Sequence, residues 1–139
     1  MVRALSNPLN SGKALHILVV EDDEDSRDMM VEFLRLIGGH SIEVAQTGED
    51  GLRRLRSEPA VDVLFTDVGL PGMDGIEMLD HAVKEGLIAL EHVVICSAHM
   101  TPRFDPRASG AHCIPKPLDT NQIIKTVRTI AEEISRKVG

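Results

Sequence analysis

Aromatic side chains are scarce in this sequence, which contains no tryptophan, no tyrosine and three phenylalanines. The absence of tryptophan removes the usual fluorescence readout of binding. Hydrophobic residues make up 42% of the chain and charged residues 27%, the composition of an ordinary globular domain. A length of 139 residues fits one domain with a single core, so a second domain is not expected.

An excess of positive charge and long apolar runs are also missing. Lysine and arginine number 15 against 22 acidic residues, and the net charge of -7 disfavours direct binding to nucleic acid. No apolar run approaches the roughly 18 residues that cross a bilayer, so no membrane insertion is expected. Residues 1–14 have no apolar segment followed by a small-residue cleavage site, and we expect a flexible tail on a cytoplasmic protein.

Cysteine is rare, with Cys96 and Cys113 as the two examples. Both lie in apolar, strand-like segments of a chain expected in the cytoplasm. Buried thiols are the default in that setting and a disulfide is unusual. The sequence therefore does not favour a redox function.

Short apolar runs alternate with segments of helical periodicity along the whole chain. The predicted strands are LHILVV (15–20), SIEVA (41–45), VDVLFTD (61–67), HVVICSA (92–98) and a short strand within AHCIPKP (111–117). The predicted helices are 23–37, 48–58, 75–86 and 118–138. Apolar residues at helical spacing are predicted to face inward: Met30, Phe33, Leu34 and Ile37 in the first helix, Leu52 and Leu55 in the second, Ile76, Leu79 and Val83 in the third, and Ile123, Ile124, Val127, Ile130 and Ile134 in the last. This alternation predicts an α/β domain, residues 15–138, in which helices cover both faces of a doubly wound parallel sheet.

Reactive side chains follow the predicted strands. Glu21 and Asp22 follow the first, Asp67 the third, Ser97 the fourth and Lys116 the fifth. Each has a simple alternative explanation: the acids favour a helix start, Asp67 suits a turn, Ser97 ends a strand and Lys116 is a surface charge. In a parallel sheet, however, these ends meet at one edge, where ligands of such folds bind.

Three carboxylates at one edge repel each other unless a cation neutralises them. Magnesium prefers oxygen ligands and commonly uses one or two carboxylates plus a phosphate oxygen, so Asp22 and Asp67 suit it. Lys116 and the Ser97 hydroxyl supply the positive charge and the donor that a transferring phosphoryl group needs. Asp67 then becomes a candidate nucleophile, since carboxylates form aspartyl-phosphates.

Four motifs in this order carry a family resemblance: HILVVEDDE (16–24), LFTDVGLPGMDG (64–75), VVICSAH (93–99) and CIPKPLD (113–119). The sequence resembles a response-regulator receiver domain of two-component signalling. The resemblance implies a flavodoxin-like sheet of order 2-1-3-4-5. It also implies Asp67 as phosphoacceptor, Asp22 as main Mg²⁺ carboxylate, Glu21 as its partner acting partly through water, and the Gly69 carbonyl as third protein ligand. Ser97 matches the hydroxyl residue that moves towards the phosphoryl group, and Lys116 matches the lysine that pairs with it, with a cis bond to Pro117.

Three positions depart from the family pattern. Cys113 stands where an aromatic residue usually changes rotamer, so the usual aromatic switch is not expected. Between the fourth and fifth strands, Pro102, Pro106 and Gly110 predict that the fourth helix of the family fold is short or irregular. We expect residues 99–110 to form a mobile or remodelled loop whose ordering reports phosphorylation. Phe104 either anchors a partner there or closes the core.

Two positions in the family tune the lifetime of the aspartyl-phosphate, and here they are Gly69 and His99. Because Gly69 presents no side chain to shield the phosphoryl group from water, we predict a labile mark. His99 is a candidate for positioning water. The spacing of the six histidines supports no metal cluster.

These inferences give a function and two alternatives. We expect Mg²⁺-dependent phosphotransfer to Asp67 from a histidine kinase or phosphotransfer protein, with no turnover of a separate substrate. Since no effector domain is expected after Val138, output would pass to a downstream protein target. One alternative is a receiver-like interaction module that is never phosphorylated. The other, a phosphatase of the haloacid dehalogenase type, is weakened because Gly69 stands where such enzymes have a second acid. The oligomeric state is not predicted.

Overall fold

A computed structural model describes residues 14–97 and 110–138 of the chain. Its strands are β1 (His16–Val20), β2 (Ser41–Ala45), β3 (Val63–Thr66), β4 (Val93–Ser97) and β5 (His112–Pro115). Its α-helices are α1 (Glu24–Ile37), α2 (Gly48–Leu55), α3 (Gly75–Lys84) and α4 (Thr120–Val138), and a short 3-10 helix, Leu90–His92, precedes β4. The strands form one parallel sheet of order β2-β1-β3-β4-β5, which confirms the predicted fold class.

The first three helices begin at residues whose side chains suit a helix start. Asp23 accepts a hydrogen bond from the Ser26 N–H, and acids fill the first turn of α1. Thr47 and Asp74 cap α2 and α3 in the same way. These caps satisfy backbone donors that have no partner within a helix, and they define the residue at which each of the three helices begins.

The sheet separates two apolar layers, because successive side chains of a strand point to opposite faces. Ile17 and Val19 of β1 face the layer that contains α1 and α4. Leu18 and Val20 face the layer that contains α2 and α3. All four side chains are at most 2% exposed, as the continuous apolar run of β1 predicts for a strand covered on both faces.

The inward residues of α1, α2 and α4 largely match the prediction, whereas of those predicted for α3 only Leu79 is buried. The buried side chains of α3 are Met78, Leu79 and Ala82, and Val83 is 38% exposed. The side of α3 that faces the sheet is constrained by the packing of its first residue, Gly75. The Gly75 N–H donates to the Val68 carbonyl at 2.9 Å, and a Cβ on Gly75 would meet the Asp67 carbonyl oxygen at 2.0 Å. Backbone packing at Gly75, which apolar periodicity does not report, therefore sets the inward face.

Several interpretations of the sequence fall outside the described residues. They concern residues 1–13 of the tail and residues 99–109 of the loop. They also concern the short helix predicted between the fourth and fifth strands and the roles of His99 and Phe104. Among the described helices, none combines the length and apolar character that crossing a bilayer requires.

Candidate functional site

The candidate site lies at the carboxyl edge of the sheet, where β1, β3 and β5 end. Val20 and Thr66 are register partners, so the residues that follow them come out at the same level. Those residues are Glu21 and Asp22 after β1, and Asp67 after β3. Lys116 follows β5 directly.

Lys116 joins two of these acids through its ammonium. Its Nζ donates to Glu21 Oε1 at 2.8 Å and to Asp67 Oδ2 at 3.1 Å. The side chains are 20%, 8% and 16% exposed for lysine, glutamate and aspartate, so water screens both ion pairs only partly. The bond between Lys116 and Pro117 is cis, as the family resemblance implied.

The other oxygen of Asp67 is held by the loop that follows it. Asp67 Oδ1 accepts from the Val68 N–H at 2.7 Å and from the Gly69 N–H at 3.4 Å. These bonds and the Lys116 ammonium constrain both carboxylate oxygens in a fixed orientation. The Asp67 carboxylate is thus oriented from two sides.

Glu21 is the buried member of the site, at 6% exposure. Burial raises the pKa of its carboxyl, and the hydrogen bond from Lys116 works in the opposite direction. The Lys116 ammonium is disfavoured by its own burial, but its hydrogen bonds to Glu21 and Asp67 outweigh that effect and raise the pKa of Lys116. The lysine is therefore a fixed positive charge at neutral pH.

Glu21, Asp22 and Asp67 also form an acidic cluster, each offering a carboxylate oxygen, with these atoms all within 4.8 Å of one another. It is the one such group of potential ligands that residues 14–97 and 110–138 contain. Asp22 is exposed, so the cluster is open to solvent on one side. A set made only of carboxylate oxygens fits a hard divalent cation such as Mg²⁺.

Ser97 and Gly69 complete the predicted set with less geometric support. Ser97 is the last residue of β4 and the register partner of Pro115, so its backbone reaches the same edge. Gly69 is exposed in the loop after Asp67, and beyond its two chain neighbours no heavy atom of the described residues lies within 4 Å of the position of a Cβ there. The roles of the Ser97 hydroxyl and the Gly69 carbonyl stay predictions.

Two positioning residues are absent from the sequence-based set. Arg27 Nη1 of α1 donates to the Glu21 carbonyl at 3.1 Å and ties the helix to the residue after β1. Glu49 Oε2 of α2 accepts from the Met73 N–H at 3.2 Å and anchors the loop between Asp67 and α3. Arg27 and Glu49 both lie outside the four family motifs, although Met73, the partner of Glu49, lies within the second motif. Contacts between a side chain and a distant backbone group leave no periodic signal in a sequence.

Cys96 lies beneath the site in β4, and burial raises the pKa of its thiol to about 12. A thiol is far less nucleophilic than a thiolate, so Cys96 is unreactive at neutral pH. The structure therefore assigns this residue to core packing.

Residues 17–128 match the family described as the response regulator receiver domain. The chain belongs to this family. The receiver domain is the signal-receiving module of two-component systems. This agrees with the resemblance carried by the four sequence motifs.

Comparison with individual proteins supports the same family. In an alignment 131 positions long that covers 89% of the chain, this receiver domain is 33% identical to a protein-glutamate methylesterase/protein-glutamine glutaminase of Koribacter versatilis. The N-terminal domain of an uncharacterized protein from Wolinella succinogenes superimposes with a TM-score of 0.78 at 30% identity, covering 89% of this chain and 99% of that one. The receiver domain of a Francisella response regulator has the same fold, with a TM-score of 0.71 at 23% identity over 86% of this chain and 98% of that one.

The curated relatives are longer proteins. The chain spans 34% of the Koribacter protein and 16% of a cyclic di-GMP phosphodiesterase of Thermotoga maritima, which is 41% identical over 64 residues, or 46% of this chain. Those enzyme names therefore describe proteins with additional segments.

Proposed function

We propose that this receiver domain accepts a phosphoryl group on Asp67 in a Mg²⁺-dependent reaction and changes its binding to a downstream protein. The observation that carries the proposal is the oriented Asp67 carboxylate. One of its oxygens accepts from the Lys116 ammonium at 3.1 Å, and acids that suit a divalent cation lie beside it.

The donor is a phosphohistidine of a histidine kinase or of a phosphotransfer protein. An Asp67 carboxylate oxygen attacks phosphorus, a P–O bond forms, and the P–N bond to the histidine breaks. The departing imidazole nitrogen keeps the electron pair and takes a proton. Later attack by water on phosphorus releases inorganic phosphate and restores the carboxylate, so no separate substrate is turned over.

Lys116 stabilises the negative charge of the transferring group, because its ammonium already lies at the acceptor carboxylate. The Ser97 hydroxyl donates to the same group from the end of β4. Glu21, Asp22, Asp67 and the Gly69 carbonyl would hold Mg²⁺. When bound, the ion supplies positive charge that offsets the repulsion between the carboxylates and the phosphoryl group.

The proposal is tested by intact-mass spectrometry after incubation with Mg²⁺ and a small phosphodonor such as phosphoramidate. We expect one phosphoryl adduct. It should not form when Mg²⁺ is chelated before the donor is added, and it should be absent in Asp67→Asn. Asp80→Asn is the matched control, because Asp80 is an exposed acid of α3 outside the cluster. Asp80→Asn should carry the adduct as the unmodified sequence does.

The alternative is a receiver-like module that binds partners without phosphorylation. An adduct on Asp67 argues against it. Failure to form an adduct, both with phosphoramidate and with phosphohistidine-bearing phosphotransfer domains, would overturn the proposal in favour of that alternative.

A further inference from the structure

The strand β2 lies at one edge of the sheet, where it pairs with β1. The Ser41 N–H donates to the Leu15 carbonyl at 2.9 Å, and the Ala45 carbonyl accepts from the Glu21 N–H at 3.0 Å. Alternate residues of a parallel strand bond to the same neighbour. Positions 41, 43 and 45 therefore bond to β1.

The remaining two positions of β2, Ile42 and Val44, direct their backbone N–H and C=O groups away from the sheet. Within residues 14–97 and 110–138, no hydrogen bond reaches these groups. An edge of this kind is a template on which a further strand can form.

A groove of about 630 Å³ runs along this edge, between β2 and α1. Its lining includes Asp28, Val31, Glu32 and Arg35 of α1 and Ile42 and Val44 of β2. Val44 is 48% exposed although it is a β-branched apolar residue. The groove thus offers an apolar floor beside unpaired strand donors and acceptors.

The helix side of the groove is acidic. Asp28 and Glu32 are four residues apart on α1, both are exposed, and neither forms an ion pair with another described residue. The third acid of the groove, Glu43 of β2, is already held by Arg54 through two bonds of 2.8 and 2.9 Å. Arg35 is the one cationic lining residue, so the groove keeps a net negative charge.

We propose that this groove binds an extended segment of a partner protein in which apolar and basic residues alternate. The segment pairs with the outer edge of β2 through its backbone. Successive side chains of a strand point to opposite faces, so every second side chain of the segment faces the layer of Val44 and α1. We expect the basic residues in these positions, where their aliphatic stems cover Val44 and their charged ends reach Asp28 and Glu32. Backbone pairing supplies affinity in such strand addition, and alternate side chains supply specificity. The acidic rim selects the charge of the partner.

The test uses a synthetic peptide in which lysine and valine alternate. Its length is about six residues, the usual length of a strand. It is titrated into the ¹⁵N-labelled full chain without phosphodonor, and amide shifts are recorded. We expect saturable shifts centred on Ile42 and Val44. A peptide alternating glutamate and valine should bind far more weakly, and N-methylation of the strand donors of the basic peptide should abolish binding.

The double charge reversal Asp28→Lys with Glu32→Lys provides the decisive variant, because both side chains are exposed and the fold should persist. We expect the affinity of this variant for the basic peptide to be lower by about tenfold or more, and we expect the variant to bind the acidic peptide instead. A matched control reverses Glu132, an exposed acid of α4, to lysine and should change neither affinity.

Three outcomes would overturn the proposal: shifts located away from β2, equal affinity for both peptides, or no shifts at all. Concentration-dependent self-association through β2, measured by analytical ultracentrifugation, would also overturn it, because a second copy would then be the occupant.

Discussion

Lys116 and Glu21, which are 95 positions apart in the sequence, form an ion pair of 2.8 Å at the carboxyl edge of the sheet. The glutamate side chain is 8% exposed, so the pair is largely removed from water. The same ammonium reaches Asp67 at 3.1 Å. The lysine therefore links the buried Glu21 carboxylate to the Asp67 carboxylate.

The first prediction concerns loss of this ammonium in Lys116→Met. Glu21 would be left buried without a cation, and we expect the free energy of unfolding to fall by about 1 to 3 kcal/mol. The initial rate of adduct formation should fall about a hundredfold, because a fixed charge at the transferring group is lost. Urea denaturation followed by circular dichroism measures the first effect and intact mass the second.

Lys125→Met is the matched control for that prediction, because Lys125 is an exposed lysine on α4. It should alter neither stability nor rate. Equal effects of the two substitutions would show that the buried ion pair has no special role.

A second prediction concerns Mg²⁺ and stability. Because binding to the folded state stabilises it, Mg²⁺ at a hundred times its dissociation constant should add about 2.7 kcal/mol to the free energy of unfolding. Asp22→Asn should lose most of this response, since it removes an oxygen ligand that carries full charge. Thermal melts by circular dichroism, with and without Mg²⁺, measure the response.

Asp25→Asn controls for local charge in the Mg²⁺ experiment. Asp25 is an exposed acid in the first turn of α1 but lies outside the cluster of Glu21, Asp22 and Asp67. A response that falls equally in Asp22→Asn and Asp25→Asn would indicate general screening of acidic charge instead of a site.

The fold was largely predictable, because β1, β3 and β4 are short apolar runs and the helices carry clear stripes. The prediction of the inward face of α3 was wrong in part. Its rotation depends on how Gly75 packs against Asp67, and an apolar pattern that includes Ile76 and Val83 cannot show this.

The site was predictable as a set but not as a network. The alternation of strands and helices predicts that Glu21, Asp67 and Lys116 share an edge, and motif resemblance gives each a role. Which acid the lysine contacts depends on side-chain reach, and the sequence did not reveal the shorter bond to Glu21. The same holds for Arg27 of α1, whose side chain bonds back to the Glu21 carbonyl six residues earlier in the chain.

The third prediction concerns the lifetime of the phosphorylated state. Because the space around a Cβ at position 69 is open, Gly69→Arg should fold normally and place a long side chain beside Asp67. That side chain should exclude water and slow loss of the phosphoryl group several-fold. Decay of the intact-mass adduct after removal of the donor measures the rate.

Gly69→Ala separates shielding from backbone effects in the lifetime experiment. A methyl group is too short to cover Asp67, so its decay rate should stay close to that of the unmodified sequence. Equal slowing by alanine and arginine would refute the shielding explanation.

The fourth prediction concerns stability at acidic pH and involves His40, which precedes β2. Burial lowers the pKa of His40, and the charge of Asp62 opposes this only in part. The His40 Nδ1 also accepts a hydrogen bond from the Leu15 N–H at 3.1 Å, which requires the neutral ring. Below the ordinary pKa of about 6.5 the unfolded chain binds a proton that the folded chain resists, so stability should fall as pH decreases through this value.

His40→Asn tests the assignment, because an asparagine oxygen can accept from the Leu15 N–H but does not titrate in this range. We expect the variant to lose less stability than the unmodified sequence between about pH 7 and pH 5, measured by urea denaturation at each pH. His81→Asn, at an exposed histidine of α3, should leave the acid-side slope nearly unchanged. If the His40→Asn variant keeps the full slope, the loss of stability comes from other groups. The half-buried His40 imidazole would then not be its source.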